Sequence, residues 1–337
     1  MNIILGGIIM NCPNLKSKNW HQAMGNPLVN RLRDIDSAGD AYGDPQIILP
    51  GCHDDMWHMF FHGFVTENGR GEQYFHHMIS TDGISWKLHK RWASYMGQSF
   101  ILKEKDVYFF YSSCYDHSAT NLKPVSIKLF ITKDFENFSE PIPLLEPEFE
   151  WELEGEYKQV RNPCVIRLPN GKYRMYYCGG VVVLPDLGYE EPKYVSIAES
   201  ESPMGPFIKY GKPILSPDIA IPHRTLGSGA MKVFGYEGGY LALYNGIHRD
   251  SFGRSTSSIS VLYSDDGIMW QEADYNPIIC ADTGWRKAIV YQLDLVEWRK
   301  QLRIYYNARD EWRDGVEKIG MSWMNYAGPS ILRLNGL

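Results

Sequence analysis

Apolar and polar positions along the chain follow one pattern five times: an apolar strand, a polar turn, an aromatic-rich strand, then a shorter strand closed by a turn with Gly or Asp. Self-similarity of this kind is the mark of a repeat architecture, and it outranks any single-segment reading. The paired strands run from Asp44-Pro-Gln-Ile-Ile-Leu to Met56-Trp-His-Met-Phe-Phe61, from Gln98-Ser-Phe-Ile-Leu to Val107-Tyr-Phe-Phe-Tyr111, and from Asn162-Pro-Cys-Val-Ile-Arg-Leu to Tyr173-Arg-Met-Tyr-Tyr177. Two further copies run from Ser228-Gly-Ala-Met-Lys-Val-Phe to Tyr240-Leu-Ala-Leu-Tyr244 and from Tyr291-Gln-Leu-Asp-Leu-Val to Leu302-Arg-Ile-Tyr-Tyr306. Their starts, at Asp44, Gln98, Asn162, Ser228 and Tyr291, lie 54, 64, 66 and 63 residues apart.

Hairpin signals separate the strands. Pro169-Asn170-Gly171-Lys172 and Glu237-Gly238-Gly239 supply Asn and Gly where tight turns demand positive φ. A second turn recurs as Ser80-Thr-Asp-Gly-Ile-Ser-Trp86 and Ser264-Asp-Asp-Gly-Ile-Met-Trp270, with looser versions at Thr132–Phe138 and Glu199–Phe207. Each copy therefore supplies four strands. Units of about 60 residues are too long for WD40 blades and fit propeller blades with long loops. The reading is an all-β fold: a single five-bladed β-propeller domain over residues 1–337, with four antiparallel strands per blade. Residues 1–40 then close the ring or cover an edge, because an open ring exposes an unpaired strand. No helical periodicity persists beyond two turns, so helices are expected to be few.

The first strand of every propeller blade lines the central channel, so the residues that open it converge at one end of the axis. Asp44, Gln98, Asn162, Ser228 and Tyr291-Gln292 are those openers. The loops just before them add Glu156, Lys158, Arg161, His223, Arg224, Trp285 and Arg286. A polar ring of this type suits a sugar, whose hydroxyls need paired donors and acceptors and whose C–H faces stack on aromatic rings.

The chain resembles the five-bladed glycoside hydrolases, the superfamily of families 32, 43, 62, 68, 117 and 130, over all five copies. Gly43-Asp44-Pro45-Gln46-Ile47 is similar to the first-blade Asp-Pro motif, whose aspartate is general base in family 43 and nucleophile in family 32. Arg161-Asn162-Pro163, with Asn170-Gly171-Lys172-Tyr173, resembles the third-blade Asp-Pro motif and its hairpin. Leu302–Asp310 and Lys318-Ile-Gly-Met-Ser322 resemble fifth-blade elements, especially those of family 130. Two departures stand out. Asn162 replaces the third-blade aspartate, and Gly227-Ser228-Gly229 stands where family 43 carries a Glu-Gly-Pro acid.

Glycoside cleavage ordinarily needs one protonated and one ionised carboxyl group. The resemblance implies Asp44 as general base or nucleophile, against the alternative of a turn residue before Pro45. The proton donor is open among Glu156, Asp310, Asp294 and His223. Glu156 closes an acid-rich loop beside Trp151 and Tyr157, where an apolar contact raises a carboxyl pKa. Gln98, Arg161, Asn162, His223, Arg224, Ser228, Trp285, Arg286 and Gln292 are the candidate substrate-binding residues, with Trp151 and Trp285 the tryptophans suited to stacking on sugar.

The cations Lys158, Arg161, His223, Arg224, Arg286 and Lys287 all precede inner strands. They point either to an anion, phosphate or an acidic sugar, or to pairing with acids of the same loops. The expected activity is glycosyl cleavage or transfer. A phosphate-dependent phosphorylase, and a carbohydrate-binding propeller that has lost catalysis, are the alternatives.

Composition narrows the partners. With 10 Trp, 22 Tyr and a net charge of −6 the surface does not attract nucleic acid or anionic lipid. Met1–Met10 is too short to span a bilayer and lacks the flanks of a secretory signal, so it reads as a buried strand. Six cysteines without a CxxC pair or clustered His signal neither zinc nor a disulfide framework, and a cytoplasmic protein without cofactor is expected. His53, Asp54, Asp55, His58 and His62 read as a hairpin with one exposed face rather than as a metal site.

Overall fold

The computed structural model describes residues 12–29, 41–67, 70–93, 96–115 and 125–337. Among them the regular structure is all strand, apart from three-residue 3-10 turns at Ser17–Asn19, Glu150–Glu152 and Gly284–Arg286. The stretch Met1–Met10 lies outside the described residues.

The strands form successive antiparallel meanders. The first comprises β1 (Ala41–Ile48), β2 (Trp57–Glu67), β3 (Arg70–Ser80) and β4 (Lys87–Ala93). The second comprises β5 (Met96–Glu104), β6 (Val107–Tyr115), β7 (Val125–Thr132) and β8 (Ile142–Leu145). The third comprises β9 (Val160–Arg167), β10 (Tyr173–Leu184), β11 (Tyr189–Ser200) and β12 (Ile208–Lys209). In the next, β13 (Gly227–Tyr236), β14 (Gly239–Arg249) and β15 (Ser255–Ser264) are edged by β16 (Gln271–Glu272). The last contains β17 (Ile289–Trp298), β18 (Gln301–Arg309) and β19 (Glu317–Asn325), and its outer strand is supplied by the N-terminal pair His21–Gln22 against Trp323 and Ser322. Ala41 pairs in parallel with Glu317, tying the first meander to the last.

The opening strands of the meanders neighbour one another in the order β1, β5, β9, β13, β17, and β17 neighbours β1. Apolar clusters fill the spaces between successive meanders. Phe60, Phe75, Ile101 and Phe110 pack between the first and second; Leu243, Val261, Leu295 and Tyr306 between the fourth and last; Ile47, Met59, Val296 and Tyr305 between the last and first. Because each sheet is covered on both faces, β2 is buried throughout Trp57–Gly63, including His58 and His62. Of the residues read as a hairpin with one exposed face, His53, Asp54 and Asp55 are exposed in the turn, whereas His58 and His62 are covered by adjacent meanders.

The turns that recur in sequence also lock neighbouring meanders. Gly83 and Gly267 take φ of +72° and +70°, and their carbonyls accept hydrogen bonds from Tyr305 and Tyr176 of the adjacent meander, at 2.8 and 2.9 Å. A Cβ at either glycine would lie 2.8 or 2.7 Å from that tyrosine oxygen, so only glycine permits the approach.

The C-terminal segment spans the opposite end of the axis from the site described below. Leu332 and Arg333 pair with β13, the Leu334 carbonyl accepts from Arg167 of β9, and the Asn335 carbonyl accepts from Lys103 of β5. The Arg333 guanidinium donates to the Ile47 carbonyl of β1 at 2.8 Å and to Asp294 of β17 at 2.9 Å. Four residues, Leu332–Asn335, thus touch every opening strand.

Candidate functional site

Each opening strand breaks register once. The interruptions fall between Gly43 and Gln46, Met96 and Ser99, Arg161 and Cys164, Gly229 and Lys232, and Val290 and Leu293. In each, two residues oppose one on the partner strand, the signature of a β-bulge, which re-aims side chains. Asp44, Asn162 and Ala230 take equivalent positions with φ of +61°, +55° and +52°. Asp and Asn tolerate this conformation better than most residues. All the bulges open onto one cavity of about 540 Å³, lined among others by Asp44, Gln98, Asn162, Ala230, Tyr291 and Gln292. That is within the range of small-molecule sites.

Asp44 is buried and held from several sides. His62 of β2 lies 2.9 Å from its Oδ2, and its backbone N–H donates to Asn307 Oδ1 at 3.1 Å. The Gln292 amide lies 2.6 Å from its Oδ1, and the far end of the same amide lies 2.7 Å from Lys232 Nζ. Burial lowers the His62 pKa, but Asp44 and Glu317 outweigh it, and the net shift is upward. Asn307 also donates to Glu317. Gly43 permits this crowding: a Cβ there would lie 2.7 Å from Glu317 Oε1 and 2.9 Å from Asn307 Nδ2.

Three further acidic residues line the cavity, Glu190, Glu191 and Glu317, and two of them are strongly perturbed. Burial pushes Glu191 up to about 8, against the opposing pull of Arg161, with Glu317, Glu190 and Asp44 adding to the rise. Burial pushes Glu317 up to about 7, reinforced by Asp44. Desolvation and repulsion between neighbouring carboxyl groups thus both favour the protonated forms of Glu191 and Glu317. Glu191 is carried by the long β10–β11 hairpin, which leans over the next two meanders. Leu184 and Leu187 pack against Ile247 and Ile289, and Asp186 accepts from the Ser255 N–H and hydroxyl, each at 2.6 Å.

Arg161 is buried in the wall. One nitrogen reaches the Glu190 carbonyl at 3.4 Å, while Nε has no hydrogen-bond partner among the described residues. Tyr189 and Tyr291 meet hydroxyl to hydroxyl at the cavity edge, and Arg309 lies 5.4 Å over the Tyr189 ring. Gln98 donates to Tyr115 at 2.7 Å.

Of the residues singled out from sequence, Asp44, Gln98, Arg161, Asn162, Tyr291 and Gln292 meet at this cavity. The others stand elsewhere. Glu156 is exposed in the turn between two short strands, Leu153–Glu154 and Tyr157–Lys158. Asp310 accepts from the Val316 N–H at 2.8 Å and lies 3.6 Å from Lys318, serving the loop it opens. His223 and Arg224 both pair with Glu272, at 3.1 and 3.3 Å. Trp285 stacks on Tyr306 and donates to Gln22, and Arg286 pairs with Asp282 and Tyr306. Ser228 is fully buried two residues before the bulge, whose outward position belongs to Ala230. Trp151 packs on Tyr177 and Tyr194 beside Gly179. Asp294 is committed to Arg333 and the Ile47 N–H.

Glu191, Glu317 and Asn307, which the sequence did not single out, and His62, which it placed in a hairpin rather than in the site, sit on second and third strands. Attention to strand openers and the loops before them does not reach those positions. Two signals were present. Glu190-Glu191-Pro192 interrupts a strand of otherwise mixed pattern, and Glu317 immediately precedes the Lys318-Ile-Gly-Met-Ser322 element.

No protein-family model and no curated protein sequence matches the chain. Solved structures do. A glycosyl hydrolase from Bacteroides ovatus superposes with a TM-score of 0.65 at 12% identity, over 93% of this chain and 95% of that one. A structure described under the finding that the family 130 mannoside phosphorylases contain glycoside hydrolases targeting β-1,2 mannosidic linkages in Candida mannan gives 0.65 at 13% identity, over 100% and 99%. The catalytic domain of the family 62 α-L-arabinofuranosidase of Coprinopsis cinerea gives 0.62 at 11% identity, over 92% and 98%. These likenesses establish the fold: an all-β architecture shared with propeller glycoside hydrolases.

Proposed function

We propose that the protein is a glycoside-cleaving or glycosyl-transferring enzyme, built as one five-bladed propeller whose blades are the meanders described above. Its design resembles that of glycoside hydrolase family 43, with features of families 32 and 130. The observation that carries this reading is the convergence of Asp44 and Glu191 on one desolvated cavity, with Glu191 kept protonated near neutral pH.

In this reading Glu191 donates its proton to the glycosidic oxygen as the bond to the leaving group breaks. Asp44 acts on the anomeric side, either taking a proton from the attacking water or attacking the carbon itself. His62, Asn307 and Gln292 hold Asp44 in place, and the proton on Glu317 limits like-charge repulsion beside it. Gln98, Arg161 and Asn162 offer donors and acceptors to sugar hydroxyls. The substrate is accordingly a carbohydrate.

One observation favours a second reading. The unpaired Nε of buried Arg161 suits an oxyanion, so inorganic phosphate could replace water as the attacking group. Turnover of a panel of aryl and oligosaccharide glycosides, measured with and without phosphate and with an Asp44→Asn control, tests both readings. Hydrolysis in phosphate-free buffer supports the first, and strict dependence on phosphate the second. Sugar binding by calorimetry without turnover under either condition favours a propeller that only binds carbohydrate.

A further inference from the structure

Lys232 is a buried cation that the proposed chemistry leaves without a task. It follows the bulge of β13, is 1% exposed, and reaches across the axis. Its Nζ lies 3.4 Å from the Pro163 carbonyl of β9, 4.8 Å from the centre of the Phe100 ring of β5, and 2.7 Å from the Gln292 side chain of β17. Burial lowers the pKa of this amine, and Asp294 and Asp44 oppose that shift without cancelling it.

The Gln292 amide stands between this ammonium and Asp44. Its two ends differ chemically: the oxygen accepts and the nitrogen donates. Oxygen on Lys232 with nitrogen on Asp44 Oδ1 at 2.6 Å is the orientation that satisfies both charged neighbours, and Asn162, whose amide meets the same end of Gln292 at 2.5 Å, then presents its own oxygen to that nitrogen. The reverse sets a carbonyl lone pair against the carboxylate and N–H bonds against an ammonium.

We propose that Lys232 is a positioning residue for Asp44, acting through Gln292: by holding the amide oxygen it obliges the amide nitrogen to donate to the carboxylate. The inference rests on the reading of Asp44 as the working carboxylate. Asp44 is also faced by His62 of β2, Tyr115 of β6, Glu191 of β11 and Glu317 of β19; Lys232 is faced by Asp294, which is itself paired with Arg333.

The test is the titration of Asp44 in the full chain, followed by carbon-13 NMR of labelled aspartate carboxyls and assigned by its loss in Asp44→Asn. Lys232→Met should raise the Asp44 midpoint by about one pH unit, since a donor to the charged form is lost. Gln292→Met should raise it similarly. The double variant should add little to either, because both changes cut one chain of contacts. In turnover, the acid limb of the pH profile should move upward with kcat falling more than KM rises. An unchanged midpoint in Lys232→Met overturns the proposal, as does a shift that adds in full to that of Gln292→Met, which would mean direct action of charge. If Lys232→Met does not fold, the Gln292→Met midpoint decides: no shift overturns the proposal. If no glycoside is turned over, the enzymatic reading fails, while the NMR titration still reports whether Lys232 governs Asp44.

Discussion

The two ends of the axis treat buried charge in opposite ways. At the base, Arg333 and Asp294 are 8% and 2% exposed and satisfy each other, with the Ile47 carbonyl and N–H completing the set. At the cavity, Asp44, Glu191, Glu317 and Arg161 share a space in which Arg161 Nε has no partner among the described residues and burial shifts both glutamates toward their protonated forms. A pair that is mutually satisfied has no capacity left for a ligand. Groups left partly unmet are disposed to act on one. The same strands β1 and β17 contribute to both ends, so the difference lies in what closes each. The C-terminal residues fill the base, and no segment among the described residues fills the cavity.

Substitutions at the two ends should therefore separate rate from stability. Asp44→Asn should lower kcat by about 100- to 10,000-fold, the range for loss of a positioned base, with an unfolding midpoint near that of the wild type. A fall in stability instead would erase the distinction between the ends. Glu191→Gln should cost a similar order at neutral pH. The wild-type rate should also decline as pH rises through about 8, because the donor loses its proton there. That alkaline limb should vanish from the Glu191→Gln profile, and a limb that persists assigns the proton donor elsewhere.

At the base, Arg333→Met removes the ion-pair partner of buried Asp294 and leaves it only the Ile47 N–H and the more distant Lys232, which should cost about 3 kcal/mol in urea unfolding. Asn162→Asp would sharpen the comparison from within the cavity. It adds a carboxyl beside Gln292, and the acid limb of the rate profile should move to higher pH as like charges compete. The smallest effects belong to acids outside both ends. Glu156→Gln and Asp310→Asn should leave turnover unchanged and stability within about 0.5 kcal/mol.

The bulges explain why only part of the site is legible in the amino-acid sequence. Asp44-Pro45 and Asn162-Pro163 are legible because the dipeptide repeats in register and because Asp and Asn accept the positive φ that the bulge imposes. Ala230 was not legible. The true position lies two residues past Ser228, and no side-chain chemistry marks it. His223, Arg224 and Arg286 precede opening strands as the sequence suggested, yet each finds an acid nearby, Glu272 or Asp282, and is consumed by it. Glu191 owes its place to the hairpin that leans across two meanders on Leu184, Leu187 and Asp186, contacts made with residues about 60 to 105 positions later in the chain.

The amino-acid sequence by itself determined the repeat, the strand class and the aspartate that opens the first strand. Periodicity two, tight-turn residues and recurrence are properties of neighbouring positions, and they survive in a one-dimensional string. Only the tertiary structure decided which second carboxyl group joins Asp44, which cations stay unpaired, and how the base is closed. Those outcomes depend on desolvation and on distances between residues far apart in the chain, and no local pattern encodes either.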